Sequence, residues 1–192
     1  MLSPRARAAV ALAAAATLTL SACGSDEPSQ AESTATGVVD QVEVTPGTDK
    51  AAPKITLEDK TVSVEKTEVK TVKEGKGAPV GEDDIVVLDI ALFNGKDGKA
   101  LEGTETYSAE PLAFDLGNPQ MIPGLRRGIL GQKVGSTATA VIPPAEMFGE
   151  AGNTQLGVSG TDSVVMVVDD GVEPGRSGRA RAGTADRHLG AL

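Results

Sequence analysis

The sequence predicts an α+β fold in which one short helix packs on an antiparallel sheet of five or six short strands. Several segments alternate apolar and polar residues with the two-residue period of half-buried strands. One segment, which begins at Pro123, has the spacing of a short helix. The last strand-like segment, residues 163–169, is almost continuously apolar, which is typical of a central strand covered on both faces.

The first strands are predicted from β-branched, alternating residues. Ordered structure is expected to begin near Lys54, with strands at residues 55–57 and 62–72. A third strand covers residues 84–93, because its even-numbered positions from 86 onward are apolar and share one face.

Two further strands, at residues 112–116 and 136–142, flank the predicted helix. The helix is expected to start at Pro123 and to close near Gly131, since proline favours the first helical position and glycine the position after the end.

The predicted helix has an apolar stripe. Ile122, Leu125 and Ile129 follow the spacing i, i+3, i+7 and are expected to be buried. Arg126 and Arg127 are expected to face water.

Residues 111–150 contain glycine and proline motifs in a fixed order. These are Leu116-Gly117, Met121-Ile122-Pro123-Gly124-Leu125, Gly128-Ile129-Leu130, Val134-Gly135, Ile142-Pro143-Pro144 and Phe148-Gly149. In order and spacing they resemble the core of FKBP-type peptidyl-prolyl cis-trans isomerases, and the resemblance extends over residues 54–170. It implies an FKBP-like antiparallel sheet of five to six strands wrapped around one short helix. It also implies an isomerase that acts on proline-containing polypeptides without a cofactor.

The resemblance implies the site residues as well. The catalytic positions are Ile122, whose backbone N–H corresponds to a donor to the substrate carbonyl, Phe148 at a tyrosine position and Glu102 at an aspartate position. The substrate-binding positions are Ile90, Leu101, Leu112, Phe114, Met121, Leu125 and Val165. Leu125 stands where the family has the tryptophan of the pocket floor. The sequence contains no cluster of metal-ligating residues, so no metal site is expected.

The pocket is expected to have mostly aliphatic walls, because aromatic residues make up only 2 % of the chain. Phe148 also lacks the hydroxyl of the tyrosine that it replaces. Three functions therefore stay open: a prolyl isomerase, a module that binds proline-containing or unfolded segments with little turnover, and a lipoprotein whose domain is only a scaffold.

The N-terminus has the pattern of a secretory signal. Two arginines precede an apolar run of 13 residues, which is shorter than the roughly 20 residues of a membrane-spanning helix. The run ends in Leu20-Ser21-Ala22-Cys23, which resembles a bacterial lipobox and implies a lipid on Cys23. Residues 1–22 are then a signal peptide, residues 23–53 a flexible tether, and the protein is anchored on the extracytoplasmic face of the cell membrane. The alternative is an ordinary signal cleaved after Ala22, which leaves a free thiol.

The charge distribution argues against nucleic acid as a partner. The chain has a net charge of −9, and because both termini are net positive, residues 23–170 are more acidic than the whole. Residues 171–192 are rich in Gly, Arg and Ala without apolar periodicity, and a disordered tail is expected there. The chain's one histidine, His188, belongs to this tail rather than to a site. A monomer is expected.

Overall fold

The computed structural model describes residues 37–48, 51–59 and 61–169. The expected signal peptide, the expected lipidation site Cys23 and the expected tail at residues 171–192 lie outside the described residues. Within the described residues, no helix is both long enough and apolar enough to span a membrane.

The main architectural element is a five-stranded antiparallel sheet. Its strands are β3 (Glu68–Lys73), β4 (Ile85–Asn94), β5 (Leu112–Asp115), β6 (Thr137–Ile142) and β7 (Val164–Asp169). Across the sheet they occur in the order β3-β6-β7-β4-β5. The helix α1 (Pro123–Ile129) packs on one face. The predicted α+β fold is confirmed, and so is the central position of the last strand, since β7 lies between β6 and β4 with residues 164–168 buried.

Two glycines let α1 lie directly on the sheet. A Cβ at Gly124 would overlap the Cγ2 of Ile142 on β6, and a Cβ at Gly128 would overlap the Cε of Met166 on β7. Leu125 and Ile129 are buried as predicted, whereas Ile122 is only half-buried because it lies one residue before the helix. This close packing places the start of α1 against the segment that follows β6.

The opposite face of the sheet is covered by a segment whose residues before Lys54 the sequence placed outside the domain. This segment, called the N-terminal strap, comprises residues 37–48 and 51–59. It contains a 3₁₀ helix (Val38–Gln41) and two antiparallel strands, β1 (Val42–Thr45) and β2 (Lys54–Leu57). The expected boundary at Lys54 is therefore too late.

Two valines of the strap explain why it folds. Val39 and Val42 are 2 % and 3 % exposed, and they pack with Phe93, Tyr107 and the odd-numbered residues of β7. The backbone N–H of Val39 donates to the buried carboxylate of Glu68 at 3.1 Å. These few apolar residues were hidden in the sequence by the polar composition around them.

The predicted strand at residues 62–72 is also corrected. Val62 is buried beneath the turn after β4, and its N–H donates to the carbonyl of Gly95 at 2.7 Å. The strand proper begins only at Glu68, where pairing with β6 starts. Alternation alone did not distinguish an extended loop crossing the sheet from a strand within it.

The sheet thus separates two apolar clusters. The first cluster lies under α1 and is built by the even-numbered residues of β4 and β7, together with Leu125 and Ile129. The second lies under the N-terminal strap and is built by the odd-numbered residues of the same strands. Each central strand therefore contributes to both clusters, and the helix side holds the candidate site.

Candidate functional site

Three chain segments converge at the start of α1. The first is the end of β5, which carries Phe114. The second is the helix start itself, and the third is the 3₁₀ helix Pro144–Glu146 with the residues after it. A Cβ on Gly124 would lie only 2.8 Å from the carbonyl oxygen of Glu146, so the second and third segments touch.

The apolar surface at this point is formed by half-buried side chains that rest on the first cluster. They are Phe114, Met121, Ile122, Met147, Phe148 and Leu156. Beneath them Leu125 is 9 % exposed and forms the floor. Half-buried apolar side chains above a buried floor can receive a small apolar group such as a proline ring.

One backbone donor at the start of α1 has no acceptor within the described residues. Ile122 is the residue that caps α1, and among the hydrogen bonds of the described residues none has its N–H as the donor. The carbonyl of Ile122, in contrast, accepts from the N–H of Arg126 at 3.1 Å. A half-buried N–H without an acceptor is positioned to bind a carbonyl that enters from outside.

Two expected site residues, one on β4 and one in the loop after it, pack in the same cluster as the helix. Ile90 and Leu101 are 4 % and 3 % exposed and belong to the first cluster. The N–H of Leu101 donates to the carbonyl of Leu92 at 2.8 Å. Thr106 donates from its hydroxyl to Asp89 at 2.7 Å and accepts from the N–H of Ile90 at 3.0 Å, which fixes the loop onto the strand.

Two expected site residues lie at the rim instead. Leu112 on the edge strand β5 is 48 % exposed, and Glu102 follows the buried Leu101 as an exposed residue. Neither is part of the buried floor.

Val165, another expected site residue, lies on the opposite face of the sheet from the site. It is fully buried in the second cluster, on the face of β7 that the N-terminal strap covers. Its neighbours Val164 and Met166 point to the helix side. Since every residue from 164 to 168 is apolar, the sequence carried no alternation from which the correct face could be read.

The comparisons with known proteins agree with this geometry. Residues 76–169 match the model of the family described as FKBP-type peptidyl-prolyl cis-trans isomerase. The matched residues, 94 of the 192, form an FKBP-like domain, and the activity that the match supports is that of a peptidyl-prolyl cis-trans isomerase. The matched range includes α1, the Ile122 donor and the whole apolar surface, but not the N-terminal strap.

Solved structures similar to this FKBP-type domain include the N-terminal domain of FKBP42 from Arabidopsis thaliana, with a TM-score of 0.50, 21 % identity, and coverage of 55 % of this chain and 84 % of that one. FkpA from Escherichia coli matches with a TM-score of 0.47 and 28 % identity, over 58 % of this chain and half of that chain's length. AtFKBP13 matches with a TM-score of 0.47 and 19 % identity, over 57 % of this chain and 94 % of that one. The likeness to the FKBP42 domain, with its TM-score of 0.50, supports the predicted FKBP-like fold. A search of curated proteins found no match.

The chemistry of the FKBP-type domain needs no nucleophile. Rotation about an X–Pro bond is opposed by amide resonance, with a barrier of about 18–20 kcal/mol. A twisted amide is less polar than a planar one, so an apolar surface favours the transition state over the ground state. The described residues contain no group of three or more acidic, histidine or cysteine side chains that could hold a metal ion.

Arg126 corrects another expectation for the domain. It does not simply face water: its Nε donates to the carbonyl of Leu116 at 2.8 Å, and its Nη2 lies 3.4 Å from the carbonyl of Glu82. The side chain therefore ties α1 to the end of β5, on which Phe114 lies. Arg127 is exposed, as expected.

Sequence reasoning also missed two apolar residues of the surface. Met147 precedes Phe148, and Leu156 lies at the tip of the following loop. That loop is closed by paired backbone bonds between Asn153 and Val158, and the Asn153 side chain accepts from the N–H of Leu156 at 3.2 Å. A leucine among polar loop residues, shortly after an asparagine, was the available signal.

Proposed function

We propose that this protein is a peptidyl-prolyl isomerase and folding helper for exported polypeptides, held at the outer face of the cytoplasmic membrane by a lipid on Cys23. The FKBP-type domain supports the isomerase part. The lipobox-like sequence at residues 20–23, after a short apolar run, supports export and anchoring. Two or more acyl chains would hold the protein stably at a membrane.

The observation that carries the isomerase part is the Ile122 backbone N–H. It has no acceptor among the described residues and lies directly before a helix whose Leu125 forms an apolar floor. The N–H can hold the carbonyl on one side of the X–Pro bond while the apolar surface holds the proline ring. The bond can then rotate with the groups at its ends held in place.

A second candidate function is supported by the side chains of the same surface. Leu125 is aliphatic at the floor, and Phe148 has no hydroxyl with which to bind a second carbonyl. A domain of this kind would bind proline-containing or unfolded segments but turn them over slowly. Each aromatic contact that is absent weakens transition-state binding by about 0.5–1.5 kcal/mol.

One experiment on a single X–Pro peptide separates the two functions. Exchange between cis and trans peptide is followed by NMR, and the dissociation constant is measured in the same samples. An isomerase accelerates the exchange at protein concentrations well below that of the peptide. Binding without acceleration would support the second function.

The variant Phe148→Tyr sharpens this comparison, because Phe148 is half-buried and a hydroxyl at the ring edge can reach a carbonyl bound at the surface. If the missing hydroxyl limits turnover, the exchange rate rises while the free energy of unfolding stays unchanged. Phe148→Leu is the matched control and should lower the rate.

The anchor is tested separately. Cys23→Ser should release the protein from the membrane fraction into the medium. A variant that stays in the membrane fraction would refute anchoring through Cys23 and leave the isomerase part untouched.

A further inference from the structure

We propose that Glu146 is a positioning residue that holds Phe148 against the start of α1 and thereby sets the width of the apolar surface. The proposal rests on the isomerase function. It concerns a side chain that does not itself belong to the apolar surface.

The Glu146 carboxylate joins two other parts of the domain through one oxygen. Its Oε2 accepts from the Thr67 hydroxyl at 2.7 Å and lies 3.3 Å from the Nε of Arg127. Thr67 is 9 % exposed and lies immediately before β3, whereas Arg127 is on α1. The side chain of Glu146 is 18 % exposed, so water competes little for the bond to Thr67.

The backbone around Glu146 carries this restraint to Phe148. The N–H of Met147 and the N–H of Gly149 both donate to the carbonyl of Pro144, at 3.1 Å and 2.7 Å. Phe148 is therefore enclosed in a tight turn that begins with the 3₁₀ helix. A change in the position of that 3₁₀ helix displaces Phe148 with it.

The helix is restrained from the other side. The carbonyl oxygen of Glu146 is the atom that a Cβ on Gly124 would meet at 2.8 Å, two residues after Ile122. The backbone of Glu146 thus touches the helix start, and its carboxylate reaches Arg127 one turn further along. Because Ile122 and Phe148 lie on the two sides of this contact, Glu146 fixes their separation.

The two bonds of the carboxylate should not contribute equally. Arg127 has a side chain that is 52 % exposed, and exposed ion pairs contribute little. The bond to the buried Thr67 should account for most of the restraint. Glu146→Gln keeps an acceptor oxygen for Thr67, whereas Glu146→Ala removes it.

The experiment compares Glu146→Ala, Glu146→Gln and Thr67→Val with the control Glu74→Ala. The control removes an exposed ion pair to Lys133, which lies beyond the other end of α1. For Glu146→Ala we expect kcat for X–Pro exchange to fall about tenfold, the effect of one part-buried hydrogen bond. The peptide dissociation constant should change less than kcat. Glu146→Gln should keep most of the wild-type rate, and Glu74→Ala should leave the rate unchanged.

A double-variant cycle tests the mechanism. Thr67→Val should lower kcat in the same direction, and adding it to Glu146→Ala should cost no more, because the two residues act through one bond. Backbone amide NMR shifts should change more at Ile122 and Phe148 in Glu146→Ala than in Glu74→Ala.

Equal kcat losses in Glu146→Ala and Glu74→Ala, or additive losses in the cycle, would overturn the proposal. If the wild-type domain shows no exchange activity, the isomerase function fails. The amide shifts then still decide whether Glu146 positions Ile122 and Phe148, and shifts confined to residue 146 and its direct neighbours in sequence would reject it.

Discussion

Gly124 and Gly128 lie on the same face of α1, and they should respond differently to the same substitution. At Gly124 a new Cβ meets the Cγ2 of Ile142, a branched side chain in a fully buried strand, and the Glu146 carbonyl oxygen at 2.8 Å. Neither neighbour can rotate away. At Gly128 the Cβ meets the terminal methyl of Met166, the far end of a flexible side chain, and the Ala140 Cβ at 3.2 Å.

The expected magnitudes follow from these neighbours. Overpacking costs about 1–3 kcal/mol, and alanine gains up to about 1 kcal/mol over glycine inside a helix. For Gly124→Ala, where rigid neighbours take the full clash in the first turn, we expect a loss of about 2 kcal/mol in the free energy of unfolding. For Gly128→Ala the flexible Met166 side chain can relieve most of the clash, so the remaining strain and the helical gain should offset each other to within about 1 kcal/mol.

Urea denaturation, analysed by linear extrapolation with the slope held common, measures both values. Gly124→Ala should also lower the rate of X–Pro exchange in the folded protein, because the helix start must move away from Glu146. Gly128→Ala should not. A Gly128→Ala variant that loses as much stability as Gly124→Ala would refute the reasoning from neighbour rigidity.

Two further predictions concern the face under the N-terminal strap. Burial, and then the charges of Asp169 and Asp89, raise the pKa of Tyr107, whose hydroxyl has no hydrogen-bond partner within the described residues. The contribution of Tyr107 to stability should be constant below its unfolded pKa of about 10. It should fall as pH rises above that value, since the folded state keeps the phenol proton to higher pH. Tyr107→Phe should remove this fall without loss of stability at neutral pH. Because the chain has one tyrosine, phenolate absorbance measures the ionisation of Tyr107 directly. A native-state titration at the ordinary pKa of tyrosine would contradict the prediction. Val39→Ala should cost about 2 kcal/mol of unfolding free energy, more than Val38→Ala at a half-buried site, and equal losses would reject the strap as part of the core.

The sequence predicted the helix side of the domain well because its constraints are local. Pro123 at the first helical position, the glycines of α1 and the prolines after β6 each act through their own backbone or the lack of a side chain. The resemblance that their spacing carries implied that Ile122, Leu125 and Phe148 belong to one site.

The errors arose where contacts between distant segments decide the structure. Val165 and Val164 are equally apolar, and only the pairing of β7 with both neighbours determines which of them faces the helix. Val39 is held against the sheet in part because its N–H donates a hydrogen bond to Glu68, 29 residues away. The bond from Arg126 to Leu116 depends on where β5 ends relative to α1. No local pattern records any of these three contacts.

The role of the Ile122 N–H is tested most directly by Ile122→Pro. The φ of Ile122 is −58°, which proline adopts without strain, and its N–H has no acceptor among the described residues, so the substitution removes the donor and no internal hydrogen bond. Ile122→Val, which keeps the N–H and most of the apolar side chain, is the control. We expect X–Pro exchange measured by NMR to be accelerated by the wild type and by Ile122→Val, and to lose most of that acceleration in Ile122→Pro. Equal acceleration by Ile122→Pro and Ile122→Val would contradict the account.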